Sequence, residues 1–96
     1  MSTGTHLSSE GLDPRRRRLL FRCWHRGIRE MDLVLGRFAD AQLVSLKADE
    51  LDELERWLAV PDQKIFGWIN GMESTPNEFD TPLFRRLRDF HGEGHA

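Results

Sequence analysis

Residues 28–41 read Ile28-Arg29-Glu30-Met31-Asp32-Leu33-Val34-Leu35-Gly36-Arg37-Phe38-Ala39-Asp40-Ala41. Met31, Val34, Leu35 and Phe38 fall at i, i+3, i+4 and i+7, which is one stripe along a helix and matches no face of a strand. The spacing predicts a helix over about 28–41 that buries this stripe. Gly36 inside it costs about 1 kcal/mol relative to Ala, so a neighbouring helix is expected to cross closely there.

The same reading extends outward in both directions. Leu occurs 13 times against six Val and Ile together, and Tyr is absent. Leu keeps its rotamer freedom in helices, whereas β-branched and aromatic residues favour strands. Asp13-Pro14 is a start signal, an N-cap followed by a proline at the first helical position, for a helix to about His25. Leu20, Cys23 and Trp24 form its inner face, and arginines cover the rest. Gly27 breaks the chain before the second helix. A third helix is expected to start near Ser45 as its N-cap, with Leu51, Leu54 and Leu58 inward, Trp57 alongside, and Pro61 ending it. Asp62 to Gly71 reads as a fourth helix, in which Ile65, Trp68, Ile69 and Met72 repeat. After a loop from Glu73 to Asp80, Thr81-Pro82 opens a fifth, with Leu83, Leu87 and Phe90 inward and Phe84 beside them. The expectation is an all-α fold, a compact five-helix bundle forming a single small domain over residues 13–91. Residues 1–12 read as a flexible tail and 92–96 as a frayed end.

Composition narrows function. The 96 residues carry a net charge of −2 and 39% hydrophobic side chains, enough for a modest core and too little volume for a deep cofactor pocket as well. No apolar run reaches the roughly 20 residues of a membrane-spanning helix. Tail residues 1–12 resemble neither a secretory signal nor a mitochondrial presequence, so a cytoplasmic location is expected. Charge is polarised, net +4 over residues 1–38 and net −6 over 39–96. An arginine-rich first helix (Arg15, Arg16, Arg17, Arg18, Arg22, Arg26, with Arg29 beyond) allows a nucleic-acid-binding or antitoxin-like regulatory module as the alternative function, with Trp24 as a base-stacking residue. The acidic remainder opposes it.

Catalytic and metal chemistry find little support. His91 and His95 have i, i+4 spacing but lie among terminal glycines, so no metal is expected. Cys23 has cationic neighbours, yet its place on the inner face makes it a small core residue. No nucleophile elbow, P-loop or dinucleotide fingerprint occurs.

The sharpest feature is Arg26-Gly27-Ile28-Arg29-Glu30. With Gly27 as N-cap of the second helix, Glu30 at N3 would bond back to the Gly27 N–H as half of a capping box. Equally, a glycine flanked by long charged side chains lets the backbone of another protein come close. Both readings stand on the residues alone.

The longer stretch Trp24-His25-Arg26-Gly27-Ile28-Arg29-Glu30-Met31-Asp32 resembles the FAD assembly factors of succinate dehydrogenase, whose signature is R-G-x-x-E. The likeness continues through Leu35, Gly36 and Phe38, then Trp57-Leu58, Pro61-Asp62 and Phe66-Gly67-Trp68-Ile69-Asn70-Gly71, covering about residues 15–90. The resemblance implies a five-helix assembly chaperone, not an enzyme, that promotes covalent attachment of FAD to the flavoprotein subunit of succinate dehydrogenase, and often of the related fumarate reductase. In such flavoproteins a histidine of the partner bonds the 8α-methyl carbon of the flavin. FAD thus ends on the partner, and none is held stably by the helper; Trp57, Trp68 and Phe38 read as core or groove residues more readily than as flavin stackers. Carried onto this chain, the resemblance places Gly27 and Glu30 at the flavoprotein contact with Arg26 beside them, and makes Arg29, Asp32 and His25 adjacent candidates.

Overall fold

The computed structural model describes residues 11–93. Among them are five α-helices and no strand: α1 (Pro14–Trp24), α2 (Arg29–Gln42), α3 (Ala48–Leu58), α4 (Asp62–Ile69) and α5 (Pro82–Gly92). Short 3-10 turns occupy Leu43–Ser45 and Asn77–Phe79. The expected tail falls largely on residues outside the described ones, as does His95. Leu12, within that segment, is partly buried against the core.

The two proline starts form as their residues dictate. The Asp13 carboxylate accepts the Arg16 backbone N–H, and the Thr81 hydroxyl accepts that of Phe84. Hydrogen bonds from the Arg16 side chain and backbone hold the Asp13 carboxyl below the usual carboxylate range. This cap is therefore fully present at neutral pH and fades as acid protonates the carboxyl. The stripe Met31, Val34, Leu35 and Phe38 is buried throughout. Helix α1 packs on α2 and α3, while α5 packs on α2 and α4. Trp57 lies fully buried, its ring centroid 6.0 Å from Phe38 and 5.5 Å from Phe84, both in tilted or edge-on geometry. Trp68 is buried as well, so all three residues weighed as flavin stackers are core.

Gly36 meets the close crossing its position implied. A Cβ there would fall under 3.0 Å from three atoms of the Trp24 indole. Trp24 is buried and its Nε1–H donates to Asp40 at 3.2 Å, so it cannot also stack on an external base.

Two boundaries differ from expectation. Ser45 does not cap α3, because its hydroxyl donates to the Gln42 carbonyl and closes the 3-10 turn instead. That turn carries Leu43 and Leu46 into the core and delays α3 to Ala48, where the Glu50 carboxylate accepts the Lys47 N–H at 2.9 Å. Helix α4 stops at Ile69, since Gly71 takes φ +81° and turns the chain. Met72 consequently leaves the apolar stripe and is 81% exposed.

Among the described residues no helix is long and apolar enough to cross a membrane, and no cluster of metal-ligating side chains exists. Cys23 is fully buried, and burial pushes its thiol up to about 12. A thiol so placed stays protonated at neutral pH, which suits packing and not nucleophilic attack.

Candidate functional site

The turn between α1 and α2 is built from one unusual backbone angle and two inward-pointing charges. His25 ends α1. Gly27 adopts φ +98°, a region that strains any side-chain-bearing residue, and Ile28 is extended before Arg29 begins α2. Apart from its chain neighbours, no atom of the described residues lies within 4 Å of the place a Gly27 Cβ would occupy. The glycine therefore serves the turn itself and leaves open space above it.

Ile28, not Gly27, is the N-cap of α2, so the expected capping box does not form. The shift puts Glu30 at the second helical position, where it cannot reach back to the cap. Asp32 instead reaches past the cap: its Oδ1 accepts the Arg26 backbone N–H at 2.6 Å and closes the turn from below. The capping reading of Gly27 and Glu30 is thereby corrected. Glu30 is exposed in the first turn, where the helix dipole favours a carboxylate, and meets no partner among the described residues.

Arg26 points into the protein. Its Nε donates to Asp62 Oδ1 at 2.8 Å, and its terminal nitrogens donate to the Leu58 carbonyl at 2.7 Å and the Val60 carbonyl at 3.1 Å. The ion pair with Asp62 closes to 2.6 Å, and the two side chains are only 13% and 14% exposed. The fork satisfies carbonyls freed where α3 ends before Pro61, and it fixes the signature turn against the α3–α4 corner.

The six residues singled out in the sequence thus divide. Gly27, Arg29 and Glu30 face solvent together at the start of α2, with His25 exposed just before them. Arg26 and Asp32 hold that turn in place from within. Sequence reasoning passed over two exposed apolar neighbours, Phe21 and Ile28, which are 58% and 43% exposed. The signal for Phe21 was available, since Leu20, Cys23 and Trp24 define an inner face that excludes it.

What the arrangement offers chemically is a rigid, open, charged corner without a nucleophile, a general acid–base pair or a metal cluster among the described residues. The comparisons with known proteins take in this corner together with most of the described residues. Residues 17–91 match the family model described as flavinator of succinate dehydrogenase. The FAD assembly factor SdhE of Acetobacter pasteurianus is 37% identical over 86 residues, covering 90% of this chain and 79% of that protein. Mitochondrial succinate dehydrogenase assembly factor 2 of Debaryomyces hansenii is 40% identical over 76 residues, and the 2-B form of Drosophila ananassae is 34% identical over 83. The matches cover 79% and 84% of this chain, which spans about half the length of those two mitochondrial relatives. With residues 17–91 matched to that family model and 37% identity to an FAD assembly factor over most of both chains, the chain belongs to the family of flavinators of succinate dehydrogenase.

Proposed function

We propose that this chain is an assembly chaperone that binds the flavoprotein subunit of succinate dehydrogenase and promotes covalent attachment of FAD to it. The observation that carries this reading is the α1–α2 corner, where Gly27, Arg29 and Glu30 stand open while Arg26 and Asp32 pin the backbone beneath them. A pre-organised corner loses little conformational entropy on docking, so its charged hydrogen bonds go into affinity. Gly27 acts by lacking a side chain, and Glu30 acts by accepting bonds from partner donors. The chain itself binds and orients. The flavin and the flavoprotein supply the bond-forming chemistry, and a bound helper favours the partner conformation in which the reacting groups align. The chain acts without a catalytic group of its own, in the cytoplasm, and the related fumarate reductase flavoprotein is a second client.

Glu30→Ala should leave the circular dichroism spectrum and melting temperature nearly unchanged, because Glu30 is exposed and has no hydrogen-bond or ion-pair partner among the described residues. It should weaken the complex by roughly 10-fold or more, the scale of losing one partner of an interfacial charged hydrogen bond. Covalent flavin, read as in-gel fluorescence of the flavoprotein, falls with it. Gly27→Ala and Gly27→Arg carry the same backbone strain, but only the arginine fills the open space. Arg at this position should abolish pull-down of the flavoprotein, while Ala retains most of it. Equal retention by both variants would remove Gly27 from the contact.

A further inference from the structure

The run Arg15 to Arg18 is divided by the fold into two pairs. Arg15 binds Asp52 and Glu55 of α3, and Arg16 binds Asp13 together with the Leu43 and Leu46 carbonyls. Both are engaged in holding α1 to the rest of the bundle. Arg17 and Arg18 are exposed, as is Arg22, and none of the three meets an acidic side chain among the described residues. Arg18, Phe21, Arg22 and His25 recur at i, i+3, i+4 and i+7 on the side of α1 opposite Leu20, Cys23 and Trp24.

Phe21 is not loose on this face. Its ring stacks on His25 with centroids 3.9 Å apart, and His25 Nδ1–H donates to the Phe21 carbonyl at 2.7 Å. The result is an ordered aromatic pair flanked by guanidinium groups that meet no acid among the described residues, running directly into Gly27, Ile28 and Arg29. The helix dipole gives Arg22, in the last turn, a small reason to be there. It gives none to Arg18 or to Phe21, and both side chains stand outside the core. Aromatic and arginine side chains packed together are the composition of interface anchors.

We propose that this stripe of α1 is a second part of the docking face, seated on an acidic patch of the flavoprotein that has an apolar recess for the Phe21 ring. The inference rests on the function proposed above and is continuous with the signature turn. A nucleic acid fits the stripe poorly. From Arg18 to His25 the helix rises only about 10 Å, room for few phosphates. Residues 39–96 carry a net charge of −6 that repels a polyanion, and phosphates offer no recess to a phenyl ring.

The test measures affinity for purified apo-flavoprotein subunit of succinate dehydrogenase at low and high salt. Arg18→Glu/Arg22→Glu should bind about 10-fold or more weakly at low salt, with the gap narrowing at high salt. Phe21→Ala should weaken binding several-fold at both. The control Arg56→Glu/Lys64→Glu makes the same charge change on exposed residues of α3 and α4 and should cost much less. Melting temperatures confirm that each variant is folded. Native affinity in the α1 variants, or an equal loss in the control, overturns the proposal. Tighter α1-dependent binding to a DNA duplex than to the flavoprotein overturns it too. In these cases the function proposed above survives if Glu30→Ala still suppresses flavinylation; if the native chain forms no complex with the flavoprotein, both fail.

Discussion

Replacing Arg26 by Ala should destabilise the fold by about 3 kcal/mol, the scale of breaking a mostly buried ion pair by removing one partner. The loss is large because it is shared by several groups. Asp62 keeps a charge with little access to water, and the Leu58 and Val60 carbonyls lose their donors at the end of α3. For a domain of this size the melting temperature falls by roughly 4–8 °C for each kcal/mol. Arg26→Lys should recover only a minor part, since an ammonium group offers no planar fork to span a carboxylate and two carbonyls. Flavinylation should fall in proportion to the loosening of the turn and recover partly at lower temperature. A variant with native melting temperature that fails to bind the flavoprotein would instead place Arg26 at the contact.

Gly36→Ala should also destabilise, by about 2 kcal/mol net. Alanine gains about 1 kcal/mol in helix propensity over glycine. Against this, its Cβ would overlap the Trp24 indole, which is held by the bond to Asp40 and by the core around it. Overpacking of this kind costs about 1–3 kcal/mol, and displacing the ring forfeits its hydrogen bond as well. The clash therefore wins. Combined with Trp24→Leu, which vacates the space, Gly36→Ala should become neutral or favourable, a coupling that a double-mutant cycle reads directly. Additive losses in the cycle would mean that the two residues do not share this crossing.

The fold was legible in the sequence where local and tertiary signals coincide. Asp13-Pro14 and Thr81-Pro82 each combine a side-chain acceptor with a ring that pre-sets the backbone, and both start helices as expected. Helix α2 was legible because Met31, Val34, Leu35 and Phe38 admit only one periodicity. Ser45 misled because a serine can bond backward to its own turn as readily as forward to a helix, and the choice was made by burial of Leu43 and Leu46. Met72 kept helical spacing on paper, but Gly71 turned the chain before it.

The site was legible in composition and not in direction. Gly27 and Glu30 were picked out for features that a sequence displays, a missing side chain and an acid at a helix start. That Glu30 is left without a bond back to the turn depends on the N-cap falling at Ile28, a one-position shift that spacing does not resolve, and on Asp32 being the acid that reaches back. The inward course of Arg26 depends on Asp62, 36 residues away. A long-range ion pair leaves no local trace, so an arginine in a signature looked like a surface residue. The two arginines that clamp the ends of α1, Arg16 and Arg26, both terminate on carbonyls released by neighbouring elements. Charge on this helix is therefore partly architecture and partly surface.

The most direct measurement of the central claim mixes purified apo-flavoprotein subunit with FAD, with and without this chain, and follows flavin that survives acid precipitation and denaturing electrophoresis. If the open α1–α2 corner docks on the flavoprotein and favours its reactive arrangement, the chain should raise the rate of covalent attachment at least several-fold, and Glu30→Ala should remove most of that increase. Equal rates with and without the folded native chain would contradict it.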